Sequence, residues 1–234
     1  MSSKSSQFIV DRLKSRLSRL KRSVITAGRL HEEEIQSQRI RITPWMITLT
    51  YAPGVEWSQL HITETIKSVR QWCERRGVKF RYVWVAEIQE KRKLKHGGHC
   101  LHYYIVVWLP GHLNLPKFDK RGWWCHGMTE TVKARSPVGY LAKYASKGGK
   151  TNQFPKVARI SGSGGLTAES RWQKSWWSMP IYVRERFDNF LHRPTRLKGG
   201  GFYSRLSGEI IDSLYEVVKL SPLIITPKQV FKYA

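Results

Sequence analysis

The chain has 234 residues, enough for one domain with a sizeable core plus extensions, or for two small domains. Its 41 lysines and arginines against 17 aspartates and glutamates give a net charge of +24, which favours a polyanionic partner, nucleic acid first. The longest strongly apolar run, residues 103–109, is too short to cross a bilayer, and residues 1–24 lack the apolar core of a signal peptide, so we expect a cytoplasmic protein without a membrane partner.

The cysteines and one short glycine-containing segment exclude two kinds of site. The cysteines, Cys73, Cys100 and Cys125, are odd in number and widely spaced, which argues against a disulfide framework and against a CxxC zinc site. Residues 149–151 resemble the end of a P-loop, but that motif needs a glycine at position 144, which is tyrosine. We therefore expect reduced cysteines and no nucleotide cofactor.

The first half of the chain predicts a basic arm followed by strands and a helix. Residues 1–40 are rich in lysine and arginine, and we expect a partly helical arm that is either a solvated terminus or a DNA contact. Residues 45–51 are β-branched and aromatic and predict a strand, and the spacing of apolar residues over 58–76 predicts a helix. Residues 80–88 and 101–109 predict two further strands, joined by a hairpin loop over 90–98.

The second half predicts mainly helices. A helix is expected over Pro137–Lys147, then a glycine-rich turn at 161–165, a helix over 168–177 and a tail from 199 that shows no clear pattern. The order strand, helix, strand, strand, helix predicts an α+β fold with an antiparallel central sheet flanked by helices. We expect an arm at 1–40, one domain at 41–198 and a C-terminal extension at 199–234.

The helix over Pro137–Lys147 carries its own start and stop signals. Ser136 is an N-cap residue, Pro137 suits the first helical position, and Gly148 suits the end. At about 100° per residue, one stripe is apolar and is expected to pack, while the opposite stripe is expected to stay free. The free stripe holds Tyr140, Lys143, Tyr144 and Lys147.

The tandem Tyr-x-x-Lys pattern on this stripe suggests phosphoryl chemistry. A phenol with a pKa of about 10 is a poor nucleophile at neutral pH, but a nearby ammonium favours the phenolate and attracts phosphate oxygens. Tyr140 and Tyr144 are therefore candidate nucleophiles, and Lys143 and Lys147 are candidate phosphate contacts. The alternative is that the stripe is an ordinary solvated face of an amphipathic helix.

A metal site is predicted on the neighbouring strands. His102 and Tyr104 share one face of their strand, because side chains alternate, and Glu87 on the preceding strand can supply a hard oxygen ligand. His102 and Glu87 are therefore the candidate ligands of one divalent cation.

Three segments together resemble the motifs of the HUH endonucleases, and most closely those of rolling-circle replication initiators of filamentous phages and small plasmids. The segments are residues 46–51, 101–110 and 139–147, within a similar stretch of about residues 42–180. The resemblance implies a ferredoxin-like or RRM-like palm, a bacterial host, and nicking of single-stranded or hairpin origin DNA through a 5′-phosphotyrosine.

The resemblance also implies a metal and partners. The metal would be Mg²⁺ or Mn²⁺, one tyrosine would open the strand and the other would reseal it, and the host would supply a helicase and a polymerase. The family places His, a hydrophobic residue and His on the second motif, whereas this chain has His102 and then Tyr104. His99 or Tyr104 would complete the site, or metal use would be weakened.

The second function class left open is a non-catalytic DNA-binding protein on the same scaffold, either a repressor or a single-strand binder. The positive charge and the ten tryptophans, which suit stacking of single-stranded bases, fit both classes. The paired tyrosines favour the enzyme, and Tyr104 favours the binder.

Overall fold

The computed structural model describes residues 7–39, 41–89, 94–95, 101–147, 154–155, 157–198 and 200–228. It shows an α+β protein with antiparallel sheets flanked by helices, which confirms the predicted fold class. Contacts divide the chain into two compact units, one of residues 19–170 and the other of residues 1–18 and 171–234. This division differs from the predicted boundaries after residues 40 and 198, which stay predictions.

Helices and short strands alternate along the described residues. The helices are α1 (Arg12–Ser37), α2 (Gln59–Glu74), α3 (Pro137–Lys147), α4 (Ala168–Trp177) and α5 (Ile181–Arg186), with a 3-10 helix at Phe190–His192. The strands are β1 (Phe8–Ile9), β2 (Ile42–Thr50), β3 (Arg81–Ile88), β4 (Leu101–Pro110), β5 (Thr129–Lys133), β6 (Ser161–Gly164), β7 (Thr195–Arg196), β8 (Phe202–Tyr203), β9 (Ile210–Ile211), β10 (Tyr215–Leu220) and β11 (Leu223–Pro227). The loop predicted over 90–98 lies mostly outside the described residues.

The unit of residues 19–170 is built on a five-stranded antiparallel sheet in the order β5-β2-β4-β3-β6. The long strands are β-branched and aromatic, and every residue of β3 is buried, as expected for a central strand covered on both faces. The register pairs Thr50 with His102 and His102 with Glu87, so these three residues form one row across β2, β4 and β3. Alternation then puts all three on the same face.

Helices cover both faces of this sheet. On the face that carries His102, the ring of His31 from α1 lies 5.0 Å from the ring of Trp108, centroid to centroid. On the opposite face, Ile62 and Ile66 of α2 border a groove together with Trp84. α2 begins after Ser58, whose hydroxyl accepts a hydrogen bond from the backbone N–H of Leu60.

Helix α1 is more than the solvated arm that was one interpretation of residues 1–40. Its second half buries an apolar stripe, including Leu20, Val24, Ala27 and Leu30. Gly28 allows a close approach to α3, because a Cβ there would lie 3.1 Å from Cγ2 of Val138. The helix is therefore part of the layer that covers the catalytic candidates. The proposed direct DNA contact of residues 1–40 stays a prediction.

The glycine-rich stretch predicted as a turn at 161–165 is wrong for residues 161–164, which form the edge strand β6. Glycine is a poor strand former, but here larger residues do not fit. A Cβ on Gly162 would overlap Nε1 of Trp84, and one on Gly164 would overlap the ring of Tyr82. The glycines let β6 pair with β3 directly above two large aromatic side chains.

We predict that Gly162→Ala lowers the free energy of unfolding by about 1–3 kcal/mol, the usual cost of overpacking. The added methyl group must displace the indole of Trp84, which is 5% exposed and packs edge-on against Tyr103. Urea unfolding followed by far-UV circular dichroism measures the change, with Ser161→Ala on the same strand as control. Equal stability of the two variants would show that β6 tolerates a side chain at this position.

The other unit has two small sheets. Strands β1, β11 and β10 form one, and β7, β8 and β9 form the second, beside a small core of Val183, Phe187 and Phe202. The strands of residues 202–227 were not predicted from the sequence. The two cysteines within the described residues, Cys73 and Cys125, are both free, in agreement with the prediction of reduced cysteines.

Candidate active site

Helix α3 has the predicted bounds and the predicted division into faces. Leu141 and Ala145 are buried, Tyr140 and Tyr144 are half-buried, and Lys143 is exposed. The backbone N–H of Tyr140 donates to the carbonyl of Ser136, as at the start of a helix. The packing of Leu141 and Ala145 therefore fixes which way the tyrosines point.

The stripe predicted to be free is in fact partly covered, because Tyr144 stacks on Tyr104 of β4. The two ring centroids are 3.4 Å apart and the planes differ by 10°. Tyr104 and His102 lie on the same face of β4, two residues apart. The stack therefore holds Tyr144 beside the strand residues predicted to bind metal.

His102 and Glu87 are brought together as predicted. They are direct cross-strand partners on β4 and β3, with 6% and 9% of their surfaces exposed. Nδ1 of His102 lies 3.1 Å from the hydroxyl oxygen of Thr50. A metal bound by this histidine would take Nε2, because Nδ1 faces Thr50.

Thr50 is a site residue that the sequence reasoning did not single out. Its hydroxyl orients the imidazole of His102, a common task of groups behind a metal ligand. The signal was present, since Thr50 lies in the first resembling segment and its strand pairs with β4.

Tyr104 occupies the position where a second histidine was expected. Burial raises the pKa of Tyr104 well above its ordinary value, and its hydrogen bond with Glu87 raises the pKa further. The side chain is therefore a neutral phenol at physiological pH, and a neutral phenol is a weak ligand. The geometry favours Tyr104 as a residue that orients Glu87 and Tyr144 over the alternative that it completes a metal site.

The pKa of Tyr144 is also raised, first by burial and then by the negative charges of Glu87 and Glu130. From the sequence, a neighbouring ammonium was expected to favour the phenolate. Instead, Nζ of Lys143 lies over the ring, 5.6 Å from the centroid, and the carboxylates have the larger effect on the oxygen. In the protein without DNA, Tyr144 is a phenol that must lose its proton before it can attack.

Within the described residues, no group of three or more His, Cys, Asp or Glu side chains could hold a metal ion. His102 and Glu87 offer one imidazole nitrogen and one carboxylate on adjacent strands. That donor set fits Mg²⁺ or Mn²⁺, which keep several waters and use few protein ligands. His99, the other proposed ligand, lies outside the described residues, and so does the side chain of Lys147.

Comparison with known proteins gives one match. Residues 44–149 match the family model of the replication-associated protein ORF2. The match runs from β2 to just beyond α3 and so contains every candidate site residue, although it covers slightly less than half of the chain. No curated protein and no solved structure matches the chain.

The match points to a replication-associated protein and agrees with a phage or plasmid replication initiator. DNA is the partner that such a role implies, in line with the net charge of +24. None of the described helices is long and apolar enough to cross a membrane.

Proposed function

We propose that this protein is a rolling-circle replication initiator that nicks and rejoins single-stranded origin DNA through a 5′-phosphotyrosine. The observation that carries the proposal is the stacking of Tyr144 on Tyr104, which places a tyrosine of α3 beside His102 and Glu87. The family match to a replication-associated protein supports it. Binding alone would not require a phenol above this pair of side chains.

In the nicking step, the phenol oxygen of Tyr144 or Tyr140 attacks the scissile phosphorus. A bond forms between that oxygen and phosphorus, and the bond from phosphorus to the 3′ oxygen breaks, which leaves a free 3′-OH and the 5′ phosphate on the tyrosine. The phenol proton leaves for solvent or for a nearby carboxylate, and Glu87 and Glu130 are the carboxylates that act on Tyr144. Rejoining is the reverse attack by a 3′-OH.

The remaining candidates serve the phosphate. Lys143 is exposed on α3, and its ammonium can approach the phosphate oxygens as they gain negative charge. Lys147 is proposed for the same task, one turn further along the helix. A divalent metal held by His102 and Glu87 would polarise the scissile phosphate.

The proposed setting is the cytoplasm of a bacterial host. The free 3′-OH would be extended by a host polymerase, and a host helicase would separate the strands. The positive charge of the chain suits a long DNA strand.

A second candidate function is a non-catalytic repressor or single-strand binder. The observation that favours it is Tyr104, a neutral phenol at the position of the second family histidine. The lack of a three-group metal cluster within the described residues agrees with it.

The test is covalent capture of DNA. Single-stranded oligonucleotides that tile both strands of the replicon carrying this gene are labelled at the 3′ end, because the adduct retains the 3′ fragment. They are incubated with wild type and with the Tyr140→Phe, Tyr144→Phe and double variants, in Mn²⁺, Mg²⁺ or EDTA. We expect a labelled band at protein size on a denaturing gel with metal, and no such band with EDTA or with the double variant.

The matched control is Tyr215→Phe, which removes an exposed tyrosine of β10 and is expected to form the adduct like wild type. An adduct that survives in the double variant would assign the chemistry to another residue. Binding of an oligonucleotide without an adduct in either metal would establish the binding protein instead.

A further inference from the structure

A groove lies on the face of the sheet opposite to Tyr144, between α2 and the edge formed by β3 and β6. It encloses about 330 Å³. That volume is at the lower end of the range of about 300–1,000 Å³ for small-ligand sites. None of the nicking candidates borders it, so the proposed reaction leaves the groove unused.

The charges around the groove all have one sign. Lys67 and Arg70 project from α2, Arg159 precedes β6, and all three side chains are exposed. Among the described residues that line the groove, none is acidic. Three cations around one concave site attract an anion, and phosphate is the anion that arginine binds best.

The interior of the groove is apolar and thin-walled. Ile62 and Ile66 form one side, and Trp84 lies at the floor. Gly162 allows the backbone of β6 to lie directly on the indole of Trp84, since a Cβ there would overlap Nε1. The site therefore combines an apolar interior with a cationic rim.

We propose that this groove binds one nucleotide unit of single-stranded DNA. The phosphate would lie among Lys67, Arg70 and Arg159, and the sugar and base would lie against Ile62 and Ile66. A flexible single strand can place one nucleotide in a groove, whereas a stacked duplex cannot. Only the source of the strand, the origin, rests on the proposed function.

The groove would give the strand a second point of attachment. A strand held at Tyr144 on one face reaches the groove by passing around the edge strand β6. Two attached points on one strand raise the effective concentration of each for the other. The groove would thus hold the strand while the tyrosine site opens and closes.

The test measures binding without cleavage, in the Tyr140→Phe/Tyr144→Phe background. A fluorescent oligothymidine of about 20 nucleotides, longer than a single site, is titrated at several salt concentrations. The groove variant carries Lys67→Ala, Arg70→Ala and Arg159→Ala, and the control carries Lys117→Ala, Lys120→Ala and Arg121→Ala, three cations of the loop before β5. Both lose the same charge.

We expect the groove variant to bind at least about tenfold more weakly at 0.1 M salt, with a salt slope reduced by about 2, at about 0.7 per single-strand phosphate contact. The control is expected to change neither quantity by half as much. Equal losses in both variants would overturn the proposal, because they would reflect net charge alone.

A second measurement does not remove any charge from the groove. A photoreactive benzoylphenylalanine replaces Thr63, an exposed residue at the groove, or Lys117 as control. Cross-linking to the oligothymidine is expected at position 63 and not at 117. No cross-link at 63 would overturn the proposal, and so would protection of 63 by free thymidine 5′-phosphate in a protein whose groove variant binds DNA normally. Neither result depends on whether the tyrosines nick DNA.

Discussion

Tyr144→Phe is expected to lower the rate of adduct formation by about 10³-fold or more, whereas Tyr140→Phe is expected to lower it by less than about tenfold. Tyr144 is the tyrosine that stacks on Tyr104 beside His102 and Glu87. Tyr140 lies one turn earlier on α3, where it suits the second, rejoining attack. The rates are measured as appearance of the 3′-labelled adduct in single-turnover reactions.

The same assay has a pH signature. Because the pKa of Tyr144 is raised above its ordinary value, the phenolate fraction stays small from about pH 6 to 9 and grows about tenfold per unit. The adduct rate is therefore expected to rise with pH throughout this range without a plateau. Glu130→Gln removes a carboxylate that raises the pKa of Tyr144, so it is expected to increase the rate at a given pH.

Glu33→Gln is the control for Glu130→Gln, because it removes an exposed carboxylate of α1 instead. A larger loss of rate in Tyr140→Phe than in Tyr144→Phe would reverse the assignment of the first nucleophile. A rate independent of pH would show that proton removal from the phenol does not limit the reaction.

Local signals were enough to predict the elements that build the site. Helix α3 has a proline at its first position and a sharp apolar stripe, and its predicted and observed bounds agree. Strands β2, β3 and β4 consist largely of β-branched and aromatic residues and were found within a few residues of their ends. The pairing of Glu87 with His102 follows once β3 and β4 are known to be antiparallel neighbours.

The features that were not predicted depend on packing between distant segments. β6 has almost no strand propensity, and its glycines make sense only once Trp84 and Tyr82 lie beneath them. The contact of Tyr104 with Tyr144 joins two distant parts of the sequence through the docking of α3. That docking turned a predicted free face into a stacked one, and it brought carboxylates rather than ammonium groups to the phenol.

The buried half of α1 was hidden by composition. Its apolar residues are separated by many lysines and arginines, so the segment was interpreted as a basic arm. The burial is nevertheless specific, because Glu34 of α1 accepts a hydrogen bond of 2.9 Å from the buried guanidinium of Arg81 on β3. His31, in the preceding turn of α1, is fully buried.

His31 is expected to make the protein sensitive to mild acid. Its pKa is lowered from 6.5 to about 4, mainly by burial, an effect that the charge of Glu34 opposes and the cations Arg81 and Lys79 reinforce. Below pH 6.5 the unfolded chain binds a proton that the folded chain excludes, so the free energy of unfolding falls as the pH falls from 6.5 towards 4. The full loss is about 3 kcal/mol at about 1.36 kcal/mol per pKa unit, and about 2 kcal/mol of it is expected by about pH 5.

His31→Phe, which keeps a ring against Trp108 but cannot be protonated, is expected to remove this part of the pH dependence. Urea unfolding at about pH 7.5 and about pH 5 measures it, and the difference between wild type and variant is the relevant quantity because His61 also has a lowered pKa. His31→Gln tests the same loss with a smaller polar side chain, and His112→Gln, at an exposed position, is the control. If wild type and both His31 variants lose the same free energy between these pH values, His31 is not the group that acid protonates on unfolding. If only the His31 variants resist acid, the packing of α1 on the sheet sets the lower pH limit at which the candidate site stays folded.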